Sequence, residues 1–482
     1  MATTSPSACL HRTGQGAGGR GSAWSGKATG RPGGACVALP ADTRLESSPL
    51  HIVVFPWLAF GHIIPFLELS EQLAKRGHFV TFVSAPRNLA KLRPVAADVR
   101  PRIRLVPLPL PLVDGLPDGA ESTADVPPEK VELLKIAFDG LAAPFASFLA
   151  EACAYGEARE GHSKKPDWII LDFAQHWLPP IAEEHKPRTY HRHSTFSYFV
   201  RVSDRPSPWQ VQVPCAVFLI FPAACVAFVG PKELNDAHPP SAAEDFTVPP
   251  PRIPSPSCLA FRGHEAEWTA GGWQPNASGI SDVGRIWETT QRCPLIVCRC
   301  SHEVDGPLCP LLGDLYRKPV LPSGLLAPER TQLLDGFKGR VGGRGVVRVL
   351  AHAAVGAFMT HVGWSSLMES FLFGHPLVMV PLFADQGLTA RLMTERRVGL
   401  EVPWDDCGSE FRGEDVARTV RRVMVEEEGK EFSRNAKGLQ EVLWDTATQE
   451  RYIDELVEHL LRRRGDYQDE DQCIRPKGLA KF

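Results

Sequence analysis

Short apolar runs alternate with amphipathic stretches along most of the chain after residue 50. Residues 51–56 form an apolar, β-branched run that is typical of a strand buried in a parallel sheet. Residues 66–76 then carry apolar side chains at the spacing of one helical face, and residues 79–83 form the next strand-like run. Strand, loop, helix and strand in this order predict the opening unit of a doubly wound α/β domain.

The alternation continues to residue 221 and returns after residue 346, so two α/β regions are predicted. The uncharged run 215–229 is shorter than the ~20 residues of a membrane span, and we expect a buried strand followed by a buried helix or loop. The further predicted strands are 103–110, 168–173, 213–221, 356–360, 377–383 and 400–402, and the further predicted helices are 131–154, 363–373, 385–396, 414–427, 431–443 and 452–461, with a break at Gly429.

Three stretches lack this alternation. Residues 1–49 are rich in Gly, Ser and Ala and carry no acid before Asp42. This composition fits an organellar transit peptide or, as we favour, a disordered extension or an error of the gene model. Residues 187–212 have no sustained period and predict an atypical insertion, with a functional basic lid as the alternative. Residues 466–482 predict a polar tail.

Composition narrows the class of protein. The chain has 482 residues, 43% of them hydrophobic and 23% charged, so it is globular and long enough for two or three domains. A net charge of −3 does not give the basic surface that nucleic acid requires. The spacings of the 12 cysteines match neither a zinc site nor a disulfide framework, which indicates free thiols. We expect a cytoplasmic protein without an integral membrane segment, and organellar targeting is the less favoured alternative.

Candidate chemistry gathers in the second α/β region. Gly363, Ser365 and Ser366 are small residues at the start of a predicted helix, where free N–H groups and the helix dipole favour a phosphate. His361 adds a donor, and Glu369, one turn further on, suits the diol of a ribose. Asp385 and Gln386 follow the next strand, so they should lie at the same carboxyl edge of the sheet. An acid beside an amide suits the hydroxyl groups of a sugar.

The sequence resembles the plant UDP-dependent glycosyltransferases. Their donor signature is matched by HAAVGAFMTHVGWSSLME at 352–369, by GHPLV at 374–378 and by PLFADQ at 381–386. Three further strings resemble the branch of the family that glycosylates flavonoid or terpenoid glycosides: FPWLAFGH at 55–62, PDWIILDF at 166–173 and ERYID at 450–454. The resemblance implies an α/β fold of the GT-B type, with two Rossmann-like domains facing across a cleft. It also implies an inverting enzyme that needs no metal.

The resemblance implies a role for individual residues. His62 matches the general base that takes a proton from the acceptor hydroxyl, and Asp172 matches the carboxylate that orients it. A UDP-sugar and a small-molecule acceptor are the implied partners of a monomeric enzyme, and no other cofactor is expected. The implied donor contacts are His361 and Ser366 to the diphosphate, Glu369 to the ribose, Trp364, Asp385 and Gln386 to the donor sugar, and Gly363 and Ser365 in the same turn.

The sequence also departs from the family signature. Gly343 stands where the family has a Trp that stacks on uracil, and Val346 stands where it has a Gln. Loss of one stacking platform removes ~1–3 kcal/mol of binding. Ser365 replaces an Asn with a shorter group. Residues 326–346 contain no strand-like run, although a βαβ unit takes ~30 residues, so the donor domain should be incomplete before residue 346 and turnover weak.

The predicted division is an acceptor domain at 50–320, a donor domain at 321–450 and a helix at 451–465 that packs back on the first domain. The favoured activity is transfer of a glucose- or rhamnose-type sugar to a flavonoid or terpenoid glycoside. One alternative is a catalytically impaired or inactive family member or a mispredicted gene product. A nicotinamide-dependent oxidoreductase is the remote alternative, because it would need a G-x-G-x-x-G turn after the first strand, where LAFGH stands at 58–62.

Overall fold

The computed structural model describes residues 48–154, 161–184, 213–240, 242–326, 349–404 and 410–473, with side chains through residue 464. The predicted leader up to residue 47, the insertion at 187–212 and the positions of Gly343 and Val346 lie outside these residues. The functional candidates from His62 to Gln386 all lie within them.

Two parallel sheets form the framework. The first sheet has the strand order β3-β2-β1-β4-β5-β6-β7 and the second has the order β10-β9-β8. The order of the first sheet reverses between β1 and β4, which opens a crevice at the carboxyl ends of these strands. The strands are β1 (His51–Phe55), β2 (Phe79–Ser84), β3 (Ile103–Pro107), β4 (Trp168–Leu171), β5 (Cys215–Leu219), β6 (Leu295–Cys298), β7 (Val320–Pro322), β8 (Phe358–Thr360), β9 (Leu377–Met379) and β10 (Gly399–Glu401).

Helices connect successive strands, as parallel pairing requires. The helices of the described residues are α1 (Phe60–Lys75), α2 (Pro86–Lys91), α3 (Val131–Asp139), α4 (Ala142–Ala154), α5 (Leu178–Glu184), α6 (Ala223–Val229), α7 (Lys232–Ala237), α8 (Gly263–Gly272), α9 (Asp282–Arg292), α10 (His302–Asp305), α11 (Leu308–Tyr316), α12 (Trp364–Phe371), α13 (Gln386–Glu395), α14 (Gly413–Met424), α15 (Glu427–Trp444) and α16 (Thr446–Cys473).

Both faces of the first sheet are buried. Val53 and Phe55 of β1 point into one apolar core, and Ile52 and Val54 point into the other. This alternation follows from the two-residue period of a strand, and burial on both faces explains the continuous apolar run in the sequence. The predicted run 215–229 is confirmed as the buried strand β5 followed by the buried helix α6.

The last helix packs against the first sheet. Leu456 and Leu460 of α16 lie in the same core as Ile52, and the Trp168 indole N–H donates to the Leu460 carbonyl at 3.1 Å. The backbone of α16 continues to Cys473, well beyond the predicted end at residue 461. The polar residues 462–473 include no proline and are rich in Arg, Glu, Asp and Gln, so they extend the helix instead of ending it.

The structure corrects two further predicted helix boundaries. Helix α1 begins at Phe60, so the predicted loop before residue 66 is its first turn. Pro65 is accommodated there because the only helical bond it removes is the one to the Gly61 carbonyl. The predicted break between two helices is present, but it falls at residues 425–426, and Gly429 lies inside the first turn of α15. A Cβ there would lie 2.2 Å from the Val423 carbonyl oxygen, so glycine allows the backbone of α15 to approach Val423 closely and does not end the helix.

The predicted long helix 131–154 is two helices, α3 and α4, which meet at Gly140. A Cβ on Gly140 would lie 2.5 Å from Cγ of Pro111, so the chain turns where only glycine fits. By length and composition alone the stretch Pro128–Ala154 could cross a membrane. Its Phe138 and Phe145 are instead fully buried in the protein core.

Candidate active site

His62 and Asp172 meet at the crevice of the first sheet. Phe55, the last residue of β1, pairs with Leu171, the last residue of β4, so both strands end at the same level. His62 follows in the first turn of α1, and Asp172 follows β4 directly. Nδ1 of His62 lies 2.8 Å from Oδ2 of Asp172. Two residues 110 positions apart in the sequence are therefore hydrogen-bonded at the point where the strand order reverses.

The Asp172 carboxylate is held rigidly. It is fully buried, its Oδ2 also accepts the Trp57 backbone N–H at 3.0 Å, and its Oδ1 accepts the Phe173 N–H at 2.8 Å. These hydrogen bonds hold the carboxylate in one orientation. When Nδ1 of His62 donates its proton to Asp172, Nε2 keeps a lone pair that can accept from an incoming hydroxyl.

An apolar cavity of about 200 Å³ lies beside His62. Two of its walls, Phe173 and Phe221, have their ring centroids 5.5 and 5.7 Å from the imidazole. Asp385, from the second α/β region, closes the same cavity. An apolar cavity with a few polar groups at one end suits a small organic ligand that presents a hydroxyl to His62. The further lining residues include Trp268, Trp273, Ile286, Tyr316 and Leu388.

The start of α12 follows a strained turn. Val362 is buried and adopts a φ of 69°, a region that a β-branched residue rarely enters. Its N–H donates to Oγ1 of Thr360 at 3.1 Å, which fixes the turn after β8. Strain of this kind persists where the surrounding structure demands it and is common at ligand sites. The turn ends at Gly363, the N-cap residue of α12.

The glycine at the N-cap leaves room for His361. A Cβ on Gly363 would lie 2.5 Å from Nε2 of His361, so a side chain there must displace the imidazole. His361 is exposed beside the free N–H groups of the first turn. Imidazole and helix terminus thus form one donor surface of the kind that binds a diphosphate.

We predict that Gly363→Ala raises the KM for the UDP-sugar about three- to tenfold with little change in Tm. The backbone φ of −63° at Gly363 is available to alanine, so the effect comes from displacing His361. Gly413→Ala is the matched control, since Gly413 also stands at a helix start and a Cβ there meets nothing within 4 Å. Equal donor KM values for both variants and the wild type would contradict a role for His361. Initial-rate kinetics and thermal unfolding measure the two quantities.

Trp364 and Ser365, two further predicted residues of this helix turn, make contacts on the inner side of the helix. The Trp364 side chain is buried, and its indole N–H donates to the Arg299 carbonyl at 3.0 Å. Oγ of Ser365 accepts a hydrogen bond from Nη1 of Arg299 at 2.8 Å. Trp364 can therefore meet a donor only through its backbone N–H. Ser366 and Glu369 are partly buried, and burial raises the pKa of the Glu369 carboxyl.

Asp385 and Gln386 form the next polar turn at the edge of the second sheet. Oε1 of Gln386 accepts the backbone N–H groups of Leu382 and Phe383 at 2.8 and 3.2 Å, so this side chain shapes the turn. Asp385 is the N-cap residue of α13 and lines the cavity beside His62. Burial raises the pKa of Asp385 to about 6, and the nearby His62 opposes the rise.

The sequence analysis missed two buried charged residues behind α12. Arg299 is 1% exposed and contacts Ser365, and Glu68 of α1 is 7% exposed. Burial raises the pKa of Glu68 to about 7 and lowers that of Arg299 to about 10. Neither residue belongs to a helix-terminus or sheet-edge pattern, and only the fold shows that they lie together.

One group among the described residues could hold a metal ion: Cys300, Asp305 and Cys309, all buried. The two sulfur atoms are 3.3 Å apart. Both carboxylate oxygens of Asp305 already accept backbone N–H groups, from Ala223 at 2.8 Å and from Ser301 at 3.1 Å. The group therefore completes hydrogen bonds of the fold. The described cysteines are free thiols.

Comparison with known proteins identifies the family of this chain. The family model described as UDP-glucoronosyl and UDP-glucosyl transferase matches residues 346–450. UDP-glycosyltransferase 91C1 of Arabidopsis thaliana is 32% identical, over 86% of this chain and 97% of that protein. Soyasaponin III rhamnosyltransferase of Glycine max is 28% identical, over 88% of this chain and 97% of that protein. The fold is similar to that of Phytolacca americana UGT2, whose structure is complexed with UDP-2fluoro-glucose and pterostilbene, with a TM-score of 0.61. The two chains are 18% identical, and the match covers 87% of this chain and 100% of that chain.

The chain belongs to the plant UDP-glycosyltransferases. It is an enzyme of the class that transfers sugar from a UDP-sugar to small-molecule acceptors. The predicted family and the predicted α/β fold of the GT-B type are confirmed. The second sheet has three strands within residues 349–404, and the stretch 327–348, where the shortage of strands was predicted, lies outside the described residues.

Proposed function

We propose that this enzyme transfers a glucose- or rhamnose-type sugar from its UDP-sugar to a hydroxyl of a flavonoid or terpenoid glycoside, with inversion at the anomeric carbon. The observation that carries the proposal is the His62–Asp172 pair, 2.8 Å apart, whose imidazole lies against Phe173 and Phe221, two walls of an apolar cavity that Asp385 also lines. A relative named as a rhamnosyltransferase of soyasaponin supports this sugar and acceptor class.

The proposed reaction is a single displacement. Nε2 of His62 removes the proton of the acceptor hydroxyl as its oxygen attacks the anomeric carbon of the donor. The bond from that carbon to the diphosphate oxygen breaks, and UDP leaves with the electron pair. Asp172 stabilises the imidazolium that forms, as the acid of a catalytic triad does, although no enzyme nucleophile takes part. Attack from the face opposite to UDP inverts the configuration.

The start of α12 is the proposed site for the leaving diphosphate. Its free N–H groups and dipole stabilise the negative charge that grows on UDP as the bond breaks. His361 and Ser366 would contact the diphosphate, and Glu369, one turn later, would accept from the ribose hydroxyls. Asp385 and Gln386 would bind the donor sugar. No metal is required in this proposal, since the free N–H groups and the dipole at the start of α12 supply positive potential to the diphosphate.

We propose that the domain of residues 50–320 binds the acceptor and that the domain of residues 321–450 binds the donor. We propose a monomer in the cytoplasm, in keeping with the free thiols of the described cysteines. We also infer that donor affinity is about ten- to a hundredfold below that of relatives with a uracil-stacking Trp, because Gly343 stands at that position. Slow turnover would follow at ordinary donor concentrations.

Asp385 gives the donor site a predicted pH dependence. Burial raises its pKa to about 6, so the carboxylate gains a proton as pH falls through that value. A protonated carboxyl is a weaker acceptor for sugar hydroxyls, and we expect the donor KM to rise about three- to tenfold between about pH 7.5 and pH 5. Asp385→Asn should have a raised KM that no longer changes over this range. A donor KM of the wild type that stays constant over the range would contradict the role of Asp385.

The transfer assay tests the proposed function. Purified full-length protein is incubated with UDP-glucose or UDP-rhamnose and with flavonoid and terpenoid glycosides, and products are identified by mass and by NMR. We expect one added hexose or deoxyhexose with a configuration opposite to that in the donor. Binding of UDP in calorimetry without any product would favour the catalytically impaired alternative. Absence of both UDP binding and product would contradict the proposal.

A further inference from the structure

Arg299 lies buried between the first sheet and the start of α12. It follows β6 directly and is 1% exposed. Its Nε donates to the Leu325 carbonyl at 2.8 Å and its Nη2 to the Leu326 carbonyl at 3.1 Å. Its Nη1 donates to Oγ of Ser365 at 2.8 Å. One guanidinium thus joins the end of β6, the segment after β7 and the first turn of α12.

The backbone of Arg299 also connects the first sheet to the first turn of α12. Its carbonyl accepts the indole N–H of Trp364 at 3.0 Å, and its N–H donates to the Leu219 carbonyl of β5 at 2.8 Å. Trp364 and Ser365 are the first two residues of α12. The helix terminus proposed to bind the diphosphate is therefore hydrogen-bonded to the acceptor side of the cleft through one residue. The planar fork of an arginine suits three acceptors at once.

The charge of Arg299 is only partly compensated. Oε2 of Glu68 lies 4.0 Å from Nη2 and makes no hydrogen bond, and Glu369 is the other nearby acid. Burial raises the pKa of both carboxyls, to about 7 for Glu68, whereas Arg299 stays protonated at neutral pH with a pKa of about 10. The guanidinium lies directly behind the free N–H groups of α12, since it is hydrogen-bonded to Ser365 in the first turn.

We propose that Arg299 is a positioning residue for the donor: it fixes the first turn of α12 against the acceptor domain and adds positive potential behind the diphosphate. The inference rests on the proposed function, because it presumes that α12 binds UDP. It also assigns a role to the Ser365 hydroxyl. Since its oxygen accepts from Arg299, its hydrogen is left to be donated toward the donor side.

Arg285 provides a matched comparison within the same chain. It is also 1% exposed, and its guanidinium is paired with Asp139 at 2.6 Å and hydrogen-bonded to Ser278 at 2.6 Å and to the Ala174 carbonyl at 2.9 Å. All these partners belong to the first α/β region, and none lies on α12. Loss of either arginine should lower the stability of the fold, but only the loss of Arg299 should weaken the binding of UDP.

The test compares four variants, Arg299→Met, Arg299→Lys, Ser365→Ala and Arg285→Met, by UDP titration calorimetry and thermal unfolding. We expect Arg299→Met to raise the Kd for UDP about tenfold or more. Arg299→Lys keeps the positive charge but lacks the planar guanidinium group, so its Kd for UDP should lie between those of Arg299→Met and the wild type. Ser365→Ala should raise the Kd about threefold, because UDP carries no sugar and reports only on the helix terminus. Arg285→Met should lower Tm and leave the Kd unchanged.

The Kd values for UDP decide whether Arg299 has the proposed positioning role. A Kd for UDP in Arg299→Met equal to that of Arg285→Met and the wild type would overturn the positioning role. If Arg299→Met does not fold, Ser365→Ala decides, and an unchanged Kd in that variant would overturn it. Wild-type protein that binds no UDP at all would contradict the proposed function instead. Transfer kinetics of Arg299→Lys should show a raised donor KM with the acceptor KM unchanged.

Discussion

His62→Ala should reduce kcat for sugar transfer about 10²- to 10⁴-fold while leaving the affinity for UDP unchanged. The factor is the usual contribution of a positioned general base. The side chain of His62 is 12% exposed, compared with 2% exposure for the fully enclosed His51, so its removal should lower Tm less than removal of His51 and the fold should persist. The expected loss is in kcat because the imidazole acts on the acceptor proton during the reaction and not on the bound donor.

His51→Ala is the matched control for this variant. His51 stands at the other end of β1, is 2% exposed, and its ring nitrogens contact the Lys164 carbonyl at 2.6 Å and Oγ1 of Thr81 at 2.8 Å. Its loss removes more buried contacts than the loss of His62, so Tm should fall further while kcat changes little. A His62→Ala enzyme with wild-type kcat, or a His51→Ala enzyme with an equally low kcat, would contradict the assignment.

Asp172→Asn should lower kcat about 10²- to 10⁴-fold, the scale of the same change in a catalytic triad. The carboxylate accepts from His62, Trp57 and Phe173, and an amide cannot accept at both of its ends. The amide NH₂ must face either the imidazole or a backbone N–H. In the first case His62 takes the wrong tautomer, and in the second the local fold is strained. Both outcomes remove the base from its working orientation.

Asp167→Asn separates this effect from general loss of stability. Asp167 precedes β4, at the opposite edge of the sheet from Asp172, and its Oδ2 accepts the His51 backbone N–H at 2.7 Å. It also pairs with Lys164 at 2.8 Å. We expect Asp167→Asn to lower Tm without a comparable change in kcat. Similar kcat losses in both variants at equal Tm would show that Asp172 acts only through the fold.

His62 and Asp172 were predicted through the resemblance to the family, and the edge rule for parallel sheets explains why the two residues lie together in the fold. His62 and Asp172 each follow a strand in the sequence, and strands of a parallel sheet end at one edge. Sequence spacing alone could not show that β1 and β4 are neighbours, because the strand order is a long-range property. The predicted start of α1 was wrong because the prediction rested on the apolar spacing from Phe66 onward, whereas the helix begins at Phe60 and accommodates Pro65 at the cost of one backbone hydrogen bond.

Buried polar contacts were the least predictable part of the donor site. Trp364 was expected at the donor sugar, yet its indole is in the core and bonded to Arg299, so only its backbone can reach a ligand. Arg299 itself follows an apolar strand and matches no periodic pattern. Its partners Leu325 and Ser365 come from segments that only the tertiary fold joins. Such contacts depend on packing between elements, which local sequence patterns do not encode.

The decisive measurement is the product formed from one UDP-sugar and one accepting glycoside by the wild type, His62→Ala and His51→Ala side by side, with the anomeric configuration read by NMR. We predict a glycoside of inverted configuration from the wild type and from His51→Ala, and at most about one hundredth of that rate from His62→Ala. Equal product from all three proteins, or retained configuration in the product, would contradict direct displacement with His62 as the base.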